Sequence, residues 1–285
     1  MIFLAFSILT SALLFFVFKW FDIRGVDNRQ AIVVNYFAAF ITGLLVHPEY
    51  LSAEPWAADW RWMALILGIL FISLFNVLGL TAQRISVSVA SVANKMSVAV
   101  PVGIAFWLYD DAITVGKIAG ILTALLGVWL TSRPSSNLRI ETNDYWLPLV
   151  LFMGSGLIDT LIKYVQHHYL TSDVAMLTFI PSIFLVAGVL GLIYLFFTNN
   201  IRFTRKNLIW GIVLGVPNYF SIYLIIKALE QSGFQSSVLF PINNIGVVIV
   251  SVLGGRLLFG EKLSTGSAIG IGVSVFGIVL LSWFA

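Results

Sequence analysis

Apolar residues run along this chain in long, nearly unbroken stretches separated by short joins rich in Lys, Arg, Asn, Gly and Pro. The stretches fall at residues 2–20, 30–47, 62–82, 87–108, 112–132, 145–166, 173–197, 207–229, 234–258 and 264–284. At a rise of about 1.5 Å per residue, a helix of this length crosses a hydrocarbon layer about 30 Å thick. The apolar positions are continuous rather than alternating in ten-residue segments, so helices are expected and a closed β-barrel is not. The fold class read from the pattern is all-α integral membrane, with ten transmembrane helices. The first stretch begins at Ile2 with no basic leader and ends in Lys19-Trp20 rather than at small residues, which reads as a retained helix and not a signal peptide.

The ten stretches divide into two sets of five at the polar linker Arg133–Asp144, giving a first repeat over residues 1–134 and a second over 140–285. A shift of 150 residues lays Gly116 on Gly266, Gly120 on Gly270, Gly127 on Gly277, Ser132 on Ser282, Asp111 on Glu261 and Asn94 on Asn244. A weaker shift of 144 lays Ser11 on Ser155 and Lys19 on Lys163. An odd number of spans per unit makes the second copy enter the membrane from the opposite side, the build of many secondary transporters.

Composition agrees with a lipid solvent: 59% of residues are hydrophobic and 10% charged, with a mean hydropathy of +0.98. The absence of cysteine excludes disulfides and thiolate metal sites. Lys19, Arg24, Arg29, Arg84, Arg133, Arg139, Arg202, Arg205, Lys206, Arg256 and Lys262 all fall in or beside the odd-numbered connections. The even side holds Glu49, Glu54, Asp59, Asp110, Asp111, Asp173 and Glu230, with Arg61 and Lys117 the exceptions. The positive-inside rule then puts the odd connections in the cytoplasm and both termini outside, in an inner membrane if the source is bacterial. The basic balance reflects this sorting and not nucleic-acid binding. Trp20, Trp56, Trp60, Trp62, Trp146 and Trp210 stand near span ends, as an interfacial belt requires.

Charge at mid-bilayer costs about 2.5–3.5 kcal/mol on insertion scales, so deep ionisable residues mark a site or a pair. Two lie deep: Lys95 in the fourth span and Asp159 in the sixth. Lys19, Lys163 and Lys227 lie near span ends and are expected to snorkel. Helical spacing puts Ser88 and Ser91 on the face of Lys95, with Asn94 adjacent. Asn243, Asn244 and Ser236 form a matching stripe around Pro241, and Tyr219, Tyr223 and Lys227 recur every fourth residue beside Asn218. Asn76 and Asn35 add amides in the third and second spans.

Polar groups in lipid need partners, so these faces are expected to converge on a central cavity. Two readings of Lys95 and Asp159 stay open: a buried ion pair that fixes helix packing, or a site where Lys95 binds an anionic or zwitterionic group. In the second, Asp159 neutralises Lys95 in the empty state or carries a coupling proton. The asparagines read equally as interhelical glue. Gly116-x-x-x-Gly120 and Gly266-x-x-x-Gly270 are expected to pack helices closely, within the chain or across a homodimer. Pro101, Pro181, Pro217 and Pro241 lie inside spans as bends or tolerated kinks. No metal set is present, since Asp159 is the sole deep carboxylate, and no catalytic set either, with His47, His167 and His168 at span ends.

The stretch Ser86–Ser132, and more clearly Ser236–Trp283 with Pro241, Gly260-Glu261-Lys262, Gly266, Gly270 and Gly277, resembles the EamA-like drug/metabolite transporter superfamily. The first half departs from that pattern, with Asp110-Asp111 in place of Gly-Glu and Pro101 shifted. The resemblance implies a carrier of small organic metabolites, often an exporter, working by alternating access around a cavity lined by the first four helices of each half. The expected function is therefore transport of amino acids or organic anions without cofactors, with protons as the coupling ion and the lipid bilayer as the surrounding partner. The alternatives are export of cationic drugs, or a non-transporting scaffold or receptor.

Overall fold

The computed structural model describes residues 2–48, 50, 59–108, 114–131, 144–169, 173–232 and 236–284. These form helices α1 (Ile2–Arg24), α2 (Asn28–Val46), α3 (Arg61–Arg84), α4 (Val87–Met96), α5 (Ala99–Leu108) and α6 (Val115–Thr131) in the first half. The second half holds α7 (Leu147–His168), α8 (Asp173–Phe197), α9 (Arg205–Ser232), α10 (Ser236–Phe259) and α11 (Thr265–Phe284). Among the described residues nine segments are long and apolar enough to span a membrane, Val87–Ile104 counting as one, and Ile118–Thr131 is a shorter apolar helix. The all-helical membrane architecture is thus as expected, with one difference: the fourth span is two helices. The dividing linker 133–143, the pair Asp110-Asp111 and residues Glu49, Glu54, Trp56 and Ser132 lie outside the described residues.

Local chemistry sets the helix ends. Gly25 and Gly260 take φ of +60° and +64°, the left-handed conformation that closes a helix. Val26 N–H then donates back to Phe21 O (2.8 Å) and Glu261 N–H to Gly255 O (3.1 Å). Asp27 caps α2 by accepting from Gln30 N–H, and Ser86 caps α4 by accepting from Val89 N–H (3.0 Å).

The most extensive packing joins a helix of the first half to one of the second: α1 and α2 against α9, α2 and α3 against α8, α4 against α7 and α10, and α6 against α11. Small residues make the last seam. A Cβ on Gly120 would lie 2.6 Å from the Leu281 side chain, one on Gly127 3.0 Å from the Ser274 backbone, and one on Gly270 2.5 Å from Thr131 N. Gly116 sits against the ring of Phe284. Gly266 has only Ser264 Oγ nearby, at 3.7 Å, and stands outside the seam.

Hydrogen bonds gather the odd-numbered connections at one end of the bundle. Lys19 Nζ donates to Gln83 O (2.8 Å), and the side chains of Asn28 and Gln83 exchange two bonds of 2.8 and 2.7 Å. Asn207 donates to Gln30 (3.0 Å), Arg84 pairs with Asp144 (3.0 Å), and Lys206 reaches Arg24 O (3.1 Å). Glu261 accepts from Val87 N–H (2.6 Å), Ser88 N–H (3.3 Å) and Ser88 Oγ (2.9 Å). A carboxylate from beyond α10 therefore sits on the positive end of α4, where the helix dipole and its unpaired N–H groups favour an anion.

Candidate functional site

The break between α4 and α5 follows from Pro101. Proline carries no N–H to donate to Ser97 O and crowds that carbonyl, which weakens the helix at this turn. Val100 N–H takes the vacated acceptor in a tighter turn, at 2.9 Å. Ser97 Oγ donates to Asn94 O (2.6 Å), covering the last turn of α4. Pro181, Pro217 and Pro241, by contrast, lie inside continuous helices.

Helix α7 fits against this break through Gly156. A Cβ there would lie 2.3 Å from Val100 Cβ and 2.8 Å from Ser97 O, so only glycine lets the two backbones meet. The neighbouring Ser155 hydroxyl receives Asn94 Nδ2 at 2.9 Å. One turn further along α7, Asp159 Oδ2 lies 3.2 Å from Ser97 Oγ.

Asp159 is exposed and stands one turn after Ser155 and Gly156, on the side of α7 that meets the break between α4 and α5. Lys163, one turn on, shares its face and is also exposed. Lys95 is half-buried on α4, a helix ringed by α1, α3, α6, α7, α10 and α11. Lys95 and Asp159 lie within electrostatic range of each other, as do Lys163 and Asp159. Among the described residues Lys95 Nζ has neither a hydrogen-bond partner nor a direct ion pair.

The other expected site residues separate by whether their polar atoms are committed. Ser91 is fully buried and donates to Ser88 O on its own helix (3.0 Å). Asn76 donates to Ile72 O on its own helix (2.8 Å). Asn243 is buried and accepts from Ser7 (3.2 Å), while Asn218 donates to Asn35 (3.1 Å), each tying two helices. The side chain of Ser236 lies outside the described ones. Half-buried Asn244, on α10, has no side-chain partner among the described residues, and neither do the hydroxyls of Tyr219 and Tyr223.

The two tyrosines stack, their ring centroids 5.9 Å apart and their planes 16° from parallel. His47 lies against Tyr223 at 5.6 Å, and Lys227 Nζ stands 5.8 Å from the Tyr223 ring centre. Lys227 thus stands over an aromatic face, and Lys19 donates to a carbonyl at the odd-connection end.

Residue-by-residue reading missed Ser97 and Gly156. Ser97 has a local signal, since a hydroxyl four residues before a proline stands where the helix loses its N–H donor. Gly156 has none, because its neighbours Val100 and Ser97 are remote in sequence.

Residues 145–283 match the profile described as the EamA-like transporter family. An "Uncharacterized protein" of Haemophilus influenzae is 28% identical over 287 residues, covering 98% of this chain and 96% of that one. An "Uncharacterized transporter" of Archaeoglobus fulgidus is 29% identical, with 75% of each chain covered. The "Glucose uptake protein GlcU" of Staphylococcus xylosus is 29% identical over 61% of this chain and 57% of its own. A solved structure with 14% sequence identity superposes on 100% of this chain and 96% of its own with a TM-score of 0.67, a likeness of fold. The second half of the chain is thus similar to the EamA-like transporter family, and the likeness to the Haemophilus and Archaeoglobus proteins runs on into the first half.

Proposed function

We propose that this transporter carries small organic metabolites bearing an anionic group, amino acids or organic acids, and that Lys95 at the broken fourth span is the anchoring cation. The observation that supports the reading is an ammonium with no hydrogen-bond partner or direct ion pair among the described residues, half-buried in a membrane-spanning segment. A charge left uncommitted at that depth is costly and is found where a ligand or a pathway uses it. Asn244, Tyr219 and Tyr223, whose polar atoms have no hydrogen-bond partner among the described residues, supply further donors and acceptors, while Asn94 and Asn243 tie helices together and Asn76 and Ser91 bond within their own helices.

In this reading the two halves are inverted five-helix repeats that rock about the site in alternating access, with the odd connections in the cytoplasm and a proton on Asp159 as the coupling ion. The polar network at the odd-connection end closes one side of the path. A neutral sugar is the second reading, favoured by the stacked Tyr219–Tyr223 platform and by the glucose uptake named for the Staphylococcus relative.

Proteoliposomes loaded with amino acids, organic acids, glucose or a cationic drug test both readings and the export direction, in uptake and in efflux. The expected result is flux of one acid class that Lys95→Ala abolishes while the protein remains folded. Glucose flux insensitive to Lys95→Ala would give the site to the tyrosines, and wild-type acid flux by the variant would sink the anchoring role.

A further inference from the structure

Ser97 Oγ faces two acceptors, Asn94 O at 2.6 Å and Asp159 Oδ2 at 3.2 Å, with a single hydrogen to give. Both contacts are hydrogen bonds only if Asp159 carries a proton: the carboxylic acid donates to Ser97 Oγ, and Ser97 donates to Asn94 O. As a carboxylate, Asp159 competes for the serine hydrogen. Hydrogen bonds to an ionised acceptor are about twice as strong as neutral ones, so the carboxylate wins. Asn94 O, in the last turn of α4, then loses the hydroxyl that covers it, one turn before Ser97 O, whose ordinary donor Pro101 lacks.

We propose that Ser97 is the positioning residue that couples the proton on Asp159 to the state of the broken fourth span and, through it, to the charge on Lys95. With the proton bound, Ser97 covers α4 and Lys95 has no neutralising carboxylate, so the site takes an anion. With the proton lost, Ser97 turns to Asp159, the end of α4 is uncovered, and the carboxylate neutralises Lys95. Proton and anion therefore bind together and leave together, as a symporter requires. The inference rests on Lys95 as the anchoring cation.

The groups that act on Asp159 are few. Helix α4 presents Lys95, α7 itself presents Lys163, and α3 carries charge only at its ends, in Arg61 and in Arg84, which is paired with Asp144. Helix α5 contains no titratable residue.

Because the chain has no cysteine, a single Val98→Cys in the turn between α4 and α5 reports on the break without background. Its rate of modification by a small thiol reagent is followed from acid to alkaline pH and divided by the rate for the same cysteine in an Asp159→Asn background. The expected ratio changes about fivefold, the population shift that one net hydrogen bond supports. Ser97→Ala flattens it and Ser97→Thr, which keeps the hydroxyl, preserves it. A pH response unchanged by Ser97→Ala, or one identical in the parent and in Asp159→Asn, overturns the coupling, as does a cysteine unreactive at every pH. No substrate is needed, so a failure here is distinct from a failure of flux.

Discussion

Gly156→Ala is the smallest change that reaches the site through packing alone. The added Cβ would stand 2.3 Å from Val100 Cβ, 2.5 Å from Val100 Cγ2 and 2.8 Å from Ser97 O. Carbon atoms settle at about 3.5–4.0 Å, so the shortfall against Val100 is about 1.2 Å or more. Neither obstacle is a flexible tip, because Val100 Cβ is fixed to the α5 backbone and Ser97 O is backbone itself. Helix α7 must therefore retreat by about 1 Å, at an overpacking cost of about 1–3 kcal/mol. Asp159 moves with it, and its 3.2 Å approach to Ser97 opens beyond hydrogen-bond range. Two controls bracket the effect. Gly154→Ala meets only the Leu74 side chain, which can turn aside, and Gly272→Ala meets nothing within 4 Å. Removing glycine's extra chain entropy even favours the latter by about 0.5–1 kcal/mol. Thermal unfolding in detergent should rank Gly272→Ala at or above the parent, Gly154→Ala below it and Gly156→Ala lowest, with flux lost in the last. A Gly156→Ala protein as stable and as active as the parent would refute the close approach at the break.

Three further perturbations follow from the same contacts. Glu261→Gln removes the charge that accepts three hydrogen bonds at the start of α4 and should cost about 1–2 kcal/mol, seen as a lower unfolding temperature that Glu261→Asp partly restores. Gly127→Leu drives a side chain into the Ser274 backbone and should give aggregated protein on size-exclusion chromatography, whereas Gly266→Leu, outside the seam, should elute as the parent does. Asn28→Ala strips Gln83 of its reciprocal partner and should cost about 1–3 kcal/mol. In a double-mutant cycle with Gln83→Ala the losses should be clearly non-additive.

The spans were legible because a stretch of about twenty apolar residues has no other stable place than a bilayer. Gly116, Gly120 and Gly270 were legible as small residues at helical spacing, but Gly266 has the same spacing and packs on nothing closer than Ser264 Oγ at 3.7 Å. What a glycine faces belongs to the partner helix, which for Gly120 is Leu281 and for Gly270 is Thr131, far away in the chain. Lys95 and Asp159 stood out through the cost of charge in lipid. The roles of the amides did not, because Asn94 finds Ser155 61 residues away and Asn243 finds Ser7 236 residues away, while Asn244, next in the chain, finds no partner among the described residues. The four span prolines were alike as symbols. Before Pro101 the chain meets Gly156 of the facing helix through Ser97 and Val100, with a hydroxyl that covers the last turn of α4 and a carboxylate behind it, and there the helix breaks; Pro181 also faces a glycine, Gly43, yet its helix runs on. Glu261 was visible as part of a Gly-Glu pair in a connection, and its position on the start of α4 came only with the fold.

The central claim is that Lys95 is the cation on which the transported solute rests. Paired flux of the parent and Lys95→Ala in proteoliposomes, with amino and organic acids presented on either side, tests it most directly. The account predicts acid flux in the parent and none in the folded variant. Equal acid flux in both would show that Lys95 only packs the break, and would contradict the account.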